Sequence, residues 1–400
     1  MEPLIQALQD PRCYSPPVTD VQVLETHISW VLMAGDYAYK IKKPLNLGFL
    51  DFSSLDKRRH YCEEELRLNR RLAPALYLDV KAITGSVDQP QLSAADSAGA
   101  LEYAVRMRRF PQEARLDFQL NAGRLTPQDM DAVARRVADF HRHAPCADSD
   151  SPYGEPGTVQ APVRENFAQI GPLLSGETDR RALTLLAEHA EKQFTALAPL
   201  LAERKVHGAI RECHGDLHLA NLARLTSGIT AFDCIEFDPA LRWIDVISEA
   251  AFLVMDLQHR GRTDLAYRFL NAYLQNTGDY EGITVLPYYL AYRAMVRAKV
   301  AAIEADQHHD GAPGPEYHAY TELARRLGDP SAGAVILTHG FSGSGKTWLS
   351  QRLLESLPGL RVRSDVERKR LFGLDADADS RSAIGAGIYS TQASDKTYAR

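Results

Sequence analysis

Residues 334–357 combine an apolar run, a glycine-rich loop and a helix-compatible stretch, in that order. The loop from Gly340 to Thr347 fits the pattern G-x-x-x-x-G-K-S/T, which requires a strand before it and a helix after it. Its glycines let backbone N–H groups point inward around a phosphate, and the N-terminus of the helix adds partial positive charge. The segment therefore predicts a buried strand over 334–338, a phosphate-binding loop and a helix, the start of an α/β P-loop NTPase domain.

Most residues of this loop have an expected contact with a nucleotide such as ATP. Lys346 is expected to reach the β- and γ-phosphates, and the hydroxyl of Thr347 is expected to hold Mg²⁺. The other phosphate contacts are expected from the loop residues Gly340, Ser342, Gly343, Ser344 and Gly345. An ATP–Mg²⁺ site is therefore predicted in this segment.

Residues 360–365 are predicted as a second short strand, which ends in Arg-Ser-Asp before a basic helix over 366–371. A carboxylate at a strand end beside a P-loop lies where small P-loop kinases hold the phosphate acceptor. Asp365 is therefore a candidate to orient the acceptor or act as base, and Arg363 a candidate to stabilise phosphate charge. The alternative for Asp365 is an N-cap of the following helix. The segment resembles small-molecule kinases of the P-loop class, but it lacks a second acidic strand end, so an incomplete unit is expected.

The first hundred residues are rich in strand-forming patterns, and a mostly helical body follows. Strands are predicted over 21–24, 28–33, 37–42 and 101–107, and a charged helix over 55–72. From Thr126-Pro127 onward, apolar residues recur at helical spacing. The order predicts a β-rich part followed by a helical part.

A second block of polar residues lies between these helices. The run CHGDLHLAN spans 213–221, and FDCIEFD spans 232–238. The spacing suits phosphoryl transfer, because Asp216 can orient or deprotonate an acceptor hydroxyl while Asn221 and Asp233 offer oxygens to Mg²⁺. The two histidines of the run are expected to support the loop by hydrogen bonds.

The His-Gly-Asp-x-His-x-x-Asn pattern resembles the aminoglycoside phosphotransferase and choline kinase group of the protein-kinase-like fold. The resemblance extends over about residues 20–300 and implies a two-lobed α+β fold with a small β-rich N-lobe and a mostly helical C-lobe. It also implies a structural aspartate that props the catalytic loop, which Asp245 fits. No G-x-G-x-x-G joins the first strands; Thr26 and Ser29 stand there instead, as phosphate contacts or as exposed strand residues.

The same resemblance implies further residues around ATP. It calls for a strand lysine that contacts the phosphates, and Lys40 fits this role. Lys42, which is two residues further on and on the same strand face, also fits it. It calls for a helix glutamate that pairs with this lysine, and Glu65 fits best. It calls for a hinge strand whose backbone reaches the adenine, and this strand is expected around Val105 and Met107.

The domain plan follows from these motifs and from two breaker-rich stretches. A phosphotransferase-like domain is expected over 1–330, with an N-lobe at about 20–107, a C-lobe at about 108–305 and a linker at about 306–333. The P-loop unit is expected over 334–400. The combination looks like bacterial proteins in which an aminoglycoside phosphotransferase-like domain is fused to an ATP-binding kinase domain.

Composition excludes several other classes of protein. The net charge of −6, from 46 basic and 52 acidic residues, gives no electrostatic reason to expect nucleic-acid binding. The apolar run over 250–255 is far shorter than the roughly 18 residues that span a bilayer. Five scattered cysteines and an N-terminus without a signal-peptide pattern favour a cytoplasmic protein with no membrane partner. The sequence indicates no oligomeric state.

The expected function is that of a kinase, which transfers phosphate from ATP–Mg²⁺ to a hydroxyl of a small molecule, with the P-loop unit as a second ATP site. The alternative is a nucleotide sensor with little transfer, in which both domains bind ATP. Protein phosphorylation is disfavoured because no Ala-Pro-Glu segment is present. A cationic acceptor would need a pocket lined by carboxylates, for which the candidates are Glu236, Asp238, Glu249 and Asp256. Alternatively, these carboxylates are ion-paired with arginines. An arginine-lined site would suit an anionic acceptor equally well.

Overall fold

The computed structural model describes residues 1–48, 50–307, 313–328, 333–341, 343–374, 376, 378–383 and 386–399. The chain forms two compact units, one of residues 1–125 and 212–244 and the other of residues 126–211 and 245–400. Of the expected linker at about 306–333, residues 308–312 and 329–332 lie outside the described residues, and Pro315–Gly328 between them forms a helix. No described helix is both long enough and apolar enough to cross a membrane.

The strands, in chain order, are β1 (Val21–Glu25), β2 (Ser29–Ala34), β3 (Tyr37–Lys42), β4 (Tyr77–Gly85), β5 (Pro90–Ala94), β6 (Glu102–Arg108), β7 (Ile210–Glu212), β8 (Leu222–Leu225), β9 (Gly228–Ala231) and β10 (Trp243–Asp245). The α-helices are α1 (Glu2–Ala7), α2 (Leu55–Arg70), α3 (Leu116–Asn121), α4 (Pro127–His143), α5 (Pro156–Ile170), α6 (Glu177–Val206), α7 (Val246–His259), α8 (Thr263–Thr277), α9 (Leu286–Gln307), α10 (Pro315–Gly328), α11 (Lys346–Ser356), α12 (Ser364–Leu371) and α13 (Thr391–Ala399).

The first unit is built on a six-stranded antiparallel sheet in the order β1-β2-β3-β6-β4-β5. The turn between β2 and β3 places Gly35 at φ +57°, a backbone conformation that glycine adopts without steric cost. Helix α2 packs on β4 and β6 over a buried cluster that includes Cys62, Tyr77 and Val105. This packing sets one face of the helix against the central strands.

The second part of the first unit carries the polar block. A short 3₁₀ turn, Leu219–Asn221, leads into the β8–β9 hairpin, in which Leu222 is opposite Ala231. Gly215 has φ +89°, and a Cβ there would lie 2.8 Å from the carbonyl oxygen of Leu241. This glycine is therefore required by both backbone conformation and space.

The second unit is helical, as predicted. Helix α4 begins where the sequence indicates, because the Thr126 hydroxyl accepts from the Asp129 N–H while the Asp129 carboxylate accepts from the Thr126 N–H, a capping box. Residues 246–258 of helix α7 are all buried, the polar residues Ser248, Glu249, Asp256 and Gln258 included. Together with the sheet, these helices confirm the α+β class with a β-rich part followed by a helical part.

The P-loop segment differs from its prediction. The described residues of 333–399 contain helices α11, α12 and α13 but no strand, and the run expected to be a buried strand is exposed, with Val335 at 87% and Leu337 at 88%. Residues 360–363 likewise form no ladder, and the helix begins at Ser364, two residues earlier than predicted. A parallel strand needs neighbours to accept its hydrogen bonds, and the described part of this segment offers none.

Candidate active site

Strand β3 and helix α2 bring a lysine and a glutamate together with the carboxylate of a loop. Lys40 Nζ lies 3.0 Å from Glu65 Oε1 and 2.5 Å from Asp233 Oδ1. Burial alone would lower the pKa of Lys40, but the Asp233 and Glu65 carboxylates outweigh it and hold that pKa well above its ordinary value. One cation therefore bridges a buried helix residue and a loop carboxylate that is 47% exposed.

Lys42, the alternative strand lysine, is enclosed. Its Nζ lies 2.8 Å from Glu65 Oε2 and also contacts Glu236 Oε1, and its side chain is 1% exposed. Burial acts to raise the pKa of Glu65, yet the two lysines outweigh burial and lower that pKa to about 2. The two lysines thus share one glutamate, and each has a second carboxylate of its own.

The backbone around Asp233 is held in an uncommon conformation. Asp233 has φ +65°, in the left-handed region that few residues other than glycine adopt. Its N–H donates to Tyr77 Oη at 3.0 Å, and the N–H of Cys234 donates to Asn69 Oδ1 at 2.9 Å. Side chains from β4 and α2 therefore hold the backbone at Asp233 in this conformation.

The loop that begins with the His-Gly-Asp run is held by its own side chains. His214 is fully buried; its Nδ1 accepts from the Asp216 N–H at 3.3 Å, and its Nε2–H donates to the Phe232 carbonyl at 2.9 Å. Asn221 Nδ2 donates to Asp216 Oδ2 at 2.9 Å and to the Asp216 carbonyl at 3.0 Å. His218 Nε2 lies 3.3 Å from Asp216 Oδ2. The Asp216 carboxylate, 34% exposed, is thus oriented from two sides.

The polar atoms at this site suit a hard divalent cation. With Asn221 Nδ2 bound to Asp216, the amide group presents Oδ1 as its remaining polar atom. Asp233 adds a carboxylate that is 47% exposed. Mg²⁺ prefers oxygen ligands and is usually bound through few protein carboxylates. Asn221 and Asp233 are therefore the residues that would hold it.

The structure corrects the expected hinge. Val105 and Met107 lie inside β6, between β3 and β4; Val105, for example, is opposite Lys40 on one side and Val80 on the other. A strand with neighbours on both sides has its backbone N–H and C=O groups committed to the ladders. The backbone of these two residues is therefore not free for an adenine, and the chain leaves the ladders only past Arg109, whose N–H still donates to a carbonyl of the β2–β3 turn.

The hairpin that replaces a glycine loop is closed by its own hydroxyl groups. Thr26 Oγ1 and Ser29 Oγ are 2.8 Å apart, and the Ser29 N–H donates to Thr26 Oγ1 at 3.0 Å. Ser29 is 1% exposed. The two residues therefore stabilise the hairpin, and of the two only Thr26 is exposed.

The four candidate acidic residues for a cation pocket have other partners. Glu236 is buried against Lys42, and Glu249, also buried, lies 3.1 Å from His141 Nε2. Asp256 pairs with Arg260 at 2.8 Å, and Asp238 accepts from a backbone N–H of the turn after it. Asp256 therefore has the expected arginine partner, whereas Glu236 lies against a lysine and Glu249 against a histidine.

Asp245 is held by an arginine that the sequence did not single out. Arg204 Nε and Nη2 donate to the two Asp245 oxygens at 2.7 and 2.8 Å, and Asp245 Oδ1 accepts from the Ile247 N–H. Arg204 also binds Asp279 at 2.8 Å. Asp245 therefore has a structural role at the start of α7.

The P-loop lysine lies over its own loop. Lys346 Nζ donates to the carbonyl oxygens of Gly340 and Phe341, both at 2.6 Å, and lies 3.5 Å from Ser344 Oγ. Gly343 and Gly345 have φ +79° and +86°, as such a loop requires. Thr347 is in the first turn of α11. Ser342, the remaining predicted contact of the loop, lies outside the described residues.

Asp365 is neither at a strand end nor an N-cap. It lies in the first turn of α12, where Arg363 is the N-cap residue and makes no side-chain cap hydrogen bond. Tyr389 Oη donates to Asp365 Oδ1 at 2.9 Å, and Lys369 Nζ lies 3.4 Å from Oδ2. The strand-end position and the N-cap alternative for Asp365 are therefore wrong, because the helix starts before it. Its role at the phosphate acceptor stays a prediction.

Comparison with known proteins places the chain in a family. It is 34% identical over 395 residues to the uncharacterized protein Rv2004c of Mycobacterium tuberculosis, covering 95% of this chain and 75% of that protein. The chain belongs to the family of this mycobacterial protein. An uncharacterized protein of Deinococcus radiodurans is 31% identical over 188 residues, which are 42% of this chain and 48% of the relative. The AAA domain family AAA_33 matches residues 335–400, which confirms the P-loop assignment of that segment.

Three of the solved structures that the chain resembles are named as kinases or phosphotransferases. Aminoglycoside phosphotransferase APH(4)-Ia has a TM-score of 0.49 at 12% identity and covers 83% of this chain and 100% of its own. Choline kinase from Cryptosporidium parvum has a TM-score of 0.48 at 11% identity and covers 82% and 93%. Plasmodium vivax ethanolamine kinase has a TM-score of 0.47 at 10% identity and covers 78% and 82%. What these proteins act on is a property of those proteins.

Proposed function

We propose that the first unit transfers the γ-phosphoryl group of ATP to a hydroxyl of a small molecule. The observation that carries this proposal is the position of Lys40, whose ammonium group lies between Glu65 and the exposed carboxylate of Asp233. A fixed cation beside a metal-binding carboxylate is what positions a triphosphate for transfer.

Each residue of the proposed site has one role. Asp216 accepts the proton of the acceptor hydroxyl. The oxygen of that hydroxyl bonds to the γ-phosphorus, and the bond from the γ-phosphorus to the bridging oxygen breaks, so that ADP leaves. Asn221 orients Asp216 through Nδ2, and its Oδ1 joins Asp233 as an oxygen ligand. Mg²⁺ at these oxygens supplies positive charge against the phosphates.

Lys40, not Lys42, is proposed as the residue that contacts the phosphates. Lys40 shares the half-exposed Asp233 carboxylate, whereas Lys42 is enclosed by Glu65 and Glu236. If Lys40 moves toward a phosphate, Lys42 still compensates the buried charge of Glu65. Lys42 is therefore proposed as a positioning residue that keeps this glutamate ionised and in place.

A second nucleotide site is proposed at the P-loop, because residues 335–400 match a P-loop family and Lys346 lies over the loop carbonyls. Residues 1–330 and 334–400 are proposed as the two functional parts of the chain. The alternative is a nucleotide sensor with little transfer, in which both units bind ATP.

The test is phosphoryl transfer by the full chain from Mg·ATP to pooled hydroxyl compounds, comprising aminoglycosides, choline, ethanolamine, sugars and nucleosides. Acceptor-dependent ADP release that is lost in Asp216→Asn and kept in Lys346→Ala is expected. Nucleotide binding without transfer to any pool would favour the sensor. Both proposals for the first unit would be contradicted if no ATP binding were found that depends on Lys40 or Asp233.

A further inference from the structure

A cavity of about 920 Å³ lies in the second unit beside the P-loop. Its wall includes Lys346 and Thr347, the segment 360–365, and the turn 278–281 that follows α8. Pockets for small molecules occupy about 300–1,000 Å³, so this cavity has room for a nucleotide and a further group.

Helix α8 fixes the segment that contributes the basic side of this cavity. Asn271 Oδ1 accepts from the Arg361 N–H at 2.7 Å, and Asn271 Nδ2 donates to the Gly359 carbonyl at 2.8 Å. Arg370 of α12 donates to the carbonyl of Gln275 at the end of the same helix. Residues 359–363 are thus held in place by the helical part, although they form no strand.

The basic groups of the cavity have no carboxylate partners among the described residues. Arg361 Nη1 donates only to a hydroxyl, Ser350 Oγ at 3.2 Å, and Lys346 donates to loop carbonyls and a hydroxyl. Arg363, on the same extended segment two residues from Arg361, makes no ion pair within the described part of the chain. Burial and the neighbouring charges of Arg363 and Arg268 lower the pKa of Arg361. Three cations therefore line one cavity without an ion-pair partner among the described residues.

The acidic groups of the cavity are mostly compensated from outside it. Three of the four lining carboxylates are ion-paired with a basic residue that does not line the cavity, and Glu281 has no basic partner among the described residues. These pairs are Asp279 with Arg204, Asp365 with Lys369, and Glu367 with Arg370. Among the described residues, the cavity therefore presents three cations and one carboxylate that lack an ion-pair partner, a balance that favours an anion.

We propose that Arg361 and Arg363 form an anion subsite for a second ligand beside the P-loop nucleotide, so that the molecule taken by this unit carries a phosphate group. The inference rests on the nucleotide binding proposed for the P-loop. Lys346 and the loop backbone already provide the contacts for the nucleotide phosphates, whereas the two arginines belong to a separate segment. The planar guanidinium fork matches phosphate oxygens and stays charged at any working pH.

The experiment uses the full chain with Asp233→Asn, which silences the first nucleotide site, and isothermal titration calorimetry. Mg·ADP is titrated first, and pyrophosphate, the probe for the subsite, is titrated into the ADP-saturated protein. In Arg361→Gln/Arg363→Gln, pyrophosphate binding is expected to weaken at least about ten-fold, since two charge-assisted contacts are lost, while ADP affinity changes less than about three-fold. Arg325→Gln removes an exposed arginine that pairs with Glu322 on α10 and is the matched control.

Three results would overturn the proposal: no pyrophosphate binding to the ADP-loaded protein, pyrophosphate binding that the arginine pair does not change, or loss of ADP affinity as large as in Lys346→Ala. The third result would mean that the arginines hold the phosphates of the nucleotide itself. Arg363→Gln alone is used if the double variant fails to fold by circular dichroism. The number of ADP molecules bound with and without Asp233→Asn tests the first nucleotide site separately.

Discussion

Replacement of Lys42 by methionine tests whether this lysine holds the buried charges of the first unit. The Lys42 side chain is 1% exposed, and its partners Glu65 and Glu236 are 0% and 3% exposed. Removing one partner of a buried ion pair leaves an uncompensated buried charge and typically costs about 3–5 kcal/mol. Lys42→Met is therefore expected to lower the free energy of unfolding by about this amount, and Lys42→Met/Glu236→Gln to recover much of it because both charges are gone.

The assay is urea unfolding followed by circular dichroism, beside Mg·ATP affinity. Lys40→Met is the matched comparison, because Lys40 lies on the same strand and shares Glu65, but its other partner Asp233 is half exposed. Lys40→Met is expected to abolish Mg·ATP binding with a smaller loss of stability. The reasoning is refuted if Lys42→Met loses nucleotide affinity at unchanged stability, or if the double variant is as unstable as the sum of its single changes.

Three further outcomes are expected. Asp216→Asn lowers kcat for phosphoryl transfer by about 10²–10⁴ with little change in the KM for ATP; an equal loss in KM would argue for a binding role instead. Because the pKa of Glu65 is lowered to about 2, the contribution of Glu65 to stability is complete above its ordinary pKa of 4.5 and is lost as pH falls toward 2. Acid titration of Glu65→Gln beside the wild type measures this contribution, and identical profiles of stability against pH would contradict the pairing. Asn271→Ala accelerates limited proteolysis near residues 359–361, because two hydrogen bonds to that segment are lost; Asn276→Ala, whose amide binds only its own helix, is the control.

Local patterns in the sequence predicted the elements that carry the proposed site. The turn at Ala34-Gly35-Asp36 between strand-forming runs indicated β3, and helical spacing from a Thr-Pro start indicated α4, since each depends on neighbours within a few residues. The pairing of Lys40 with Glu65 followed from the family resemblance. The partner of Lys42, Glu236, was not predicted, although two lysines on one buried strand face already call for more than one carboxylate.

The failures have a common physical cause, which is dependence on other strands or distant side chains. Whether Val105 has a free backbone depends on β4, which pairs with β6 from a distant part of the sequence. The run over 334–338 is apolar enough for a buried strand, yet a strand also needs hydrogen-bonding neighbours. The left-handed backbone of Asp233 depends on Tyr77 and Asn69, contacts that no local pattern records.

The charges around Lys40 explain why the proposed metal site lies where it does. Three carboxylates, Asp233, Glu65 and Glu236, face two lysines, so the group carries one surplus negative charge. Within this group each buried charge lies beside an opposite charge, because an uncompensated charge costs most where water is excluded. The surplus negative charge therefore falls on Asp233, the half-exposed carboxylate, which a hydrated cation can reach. The charge of that cation would replace Lys40 beside Asp233 and so free Lys40 for a phosphate.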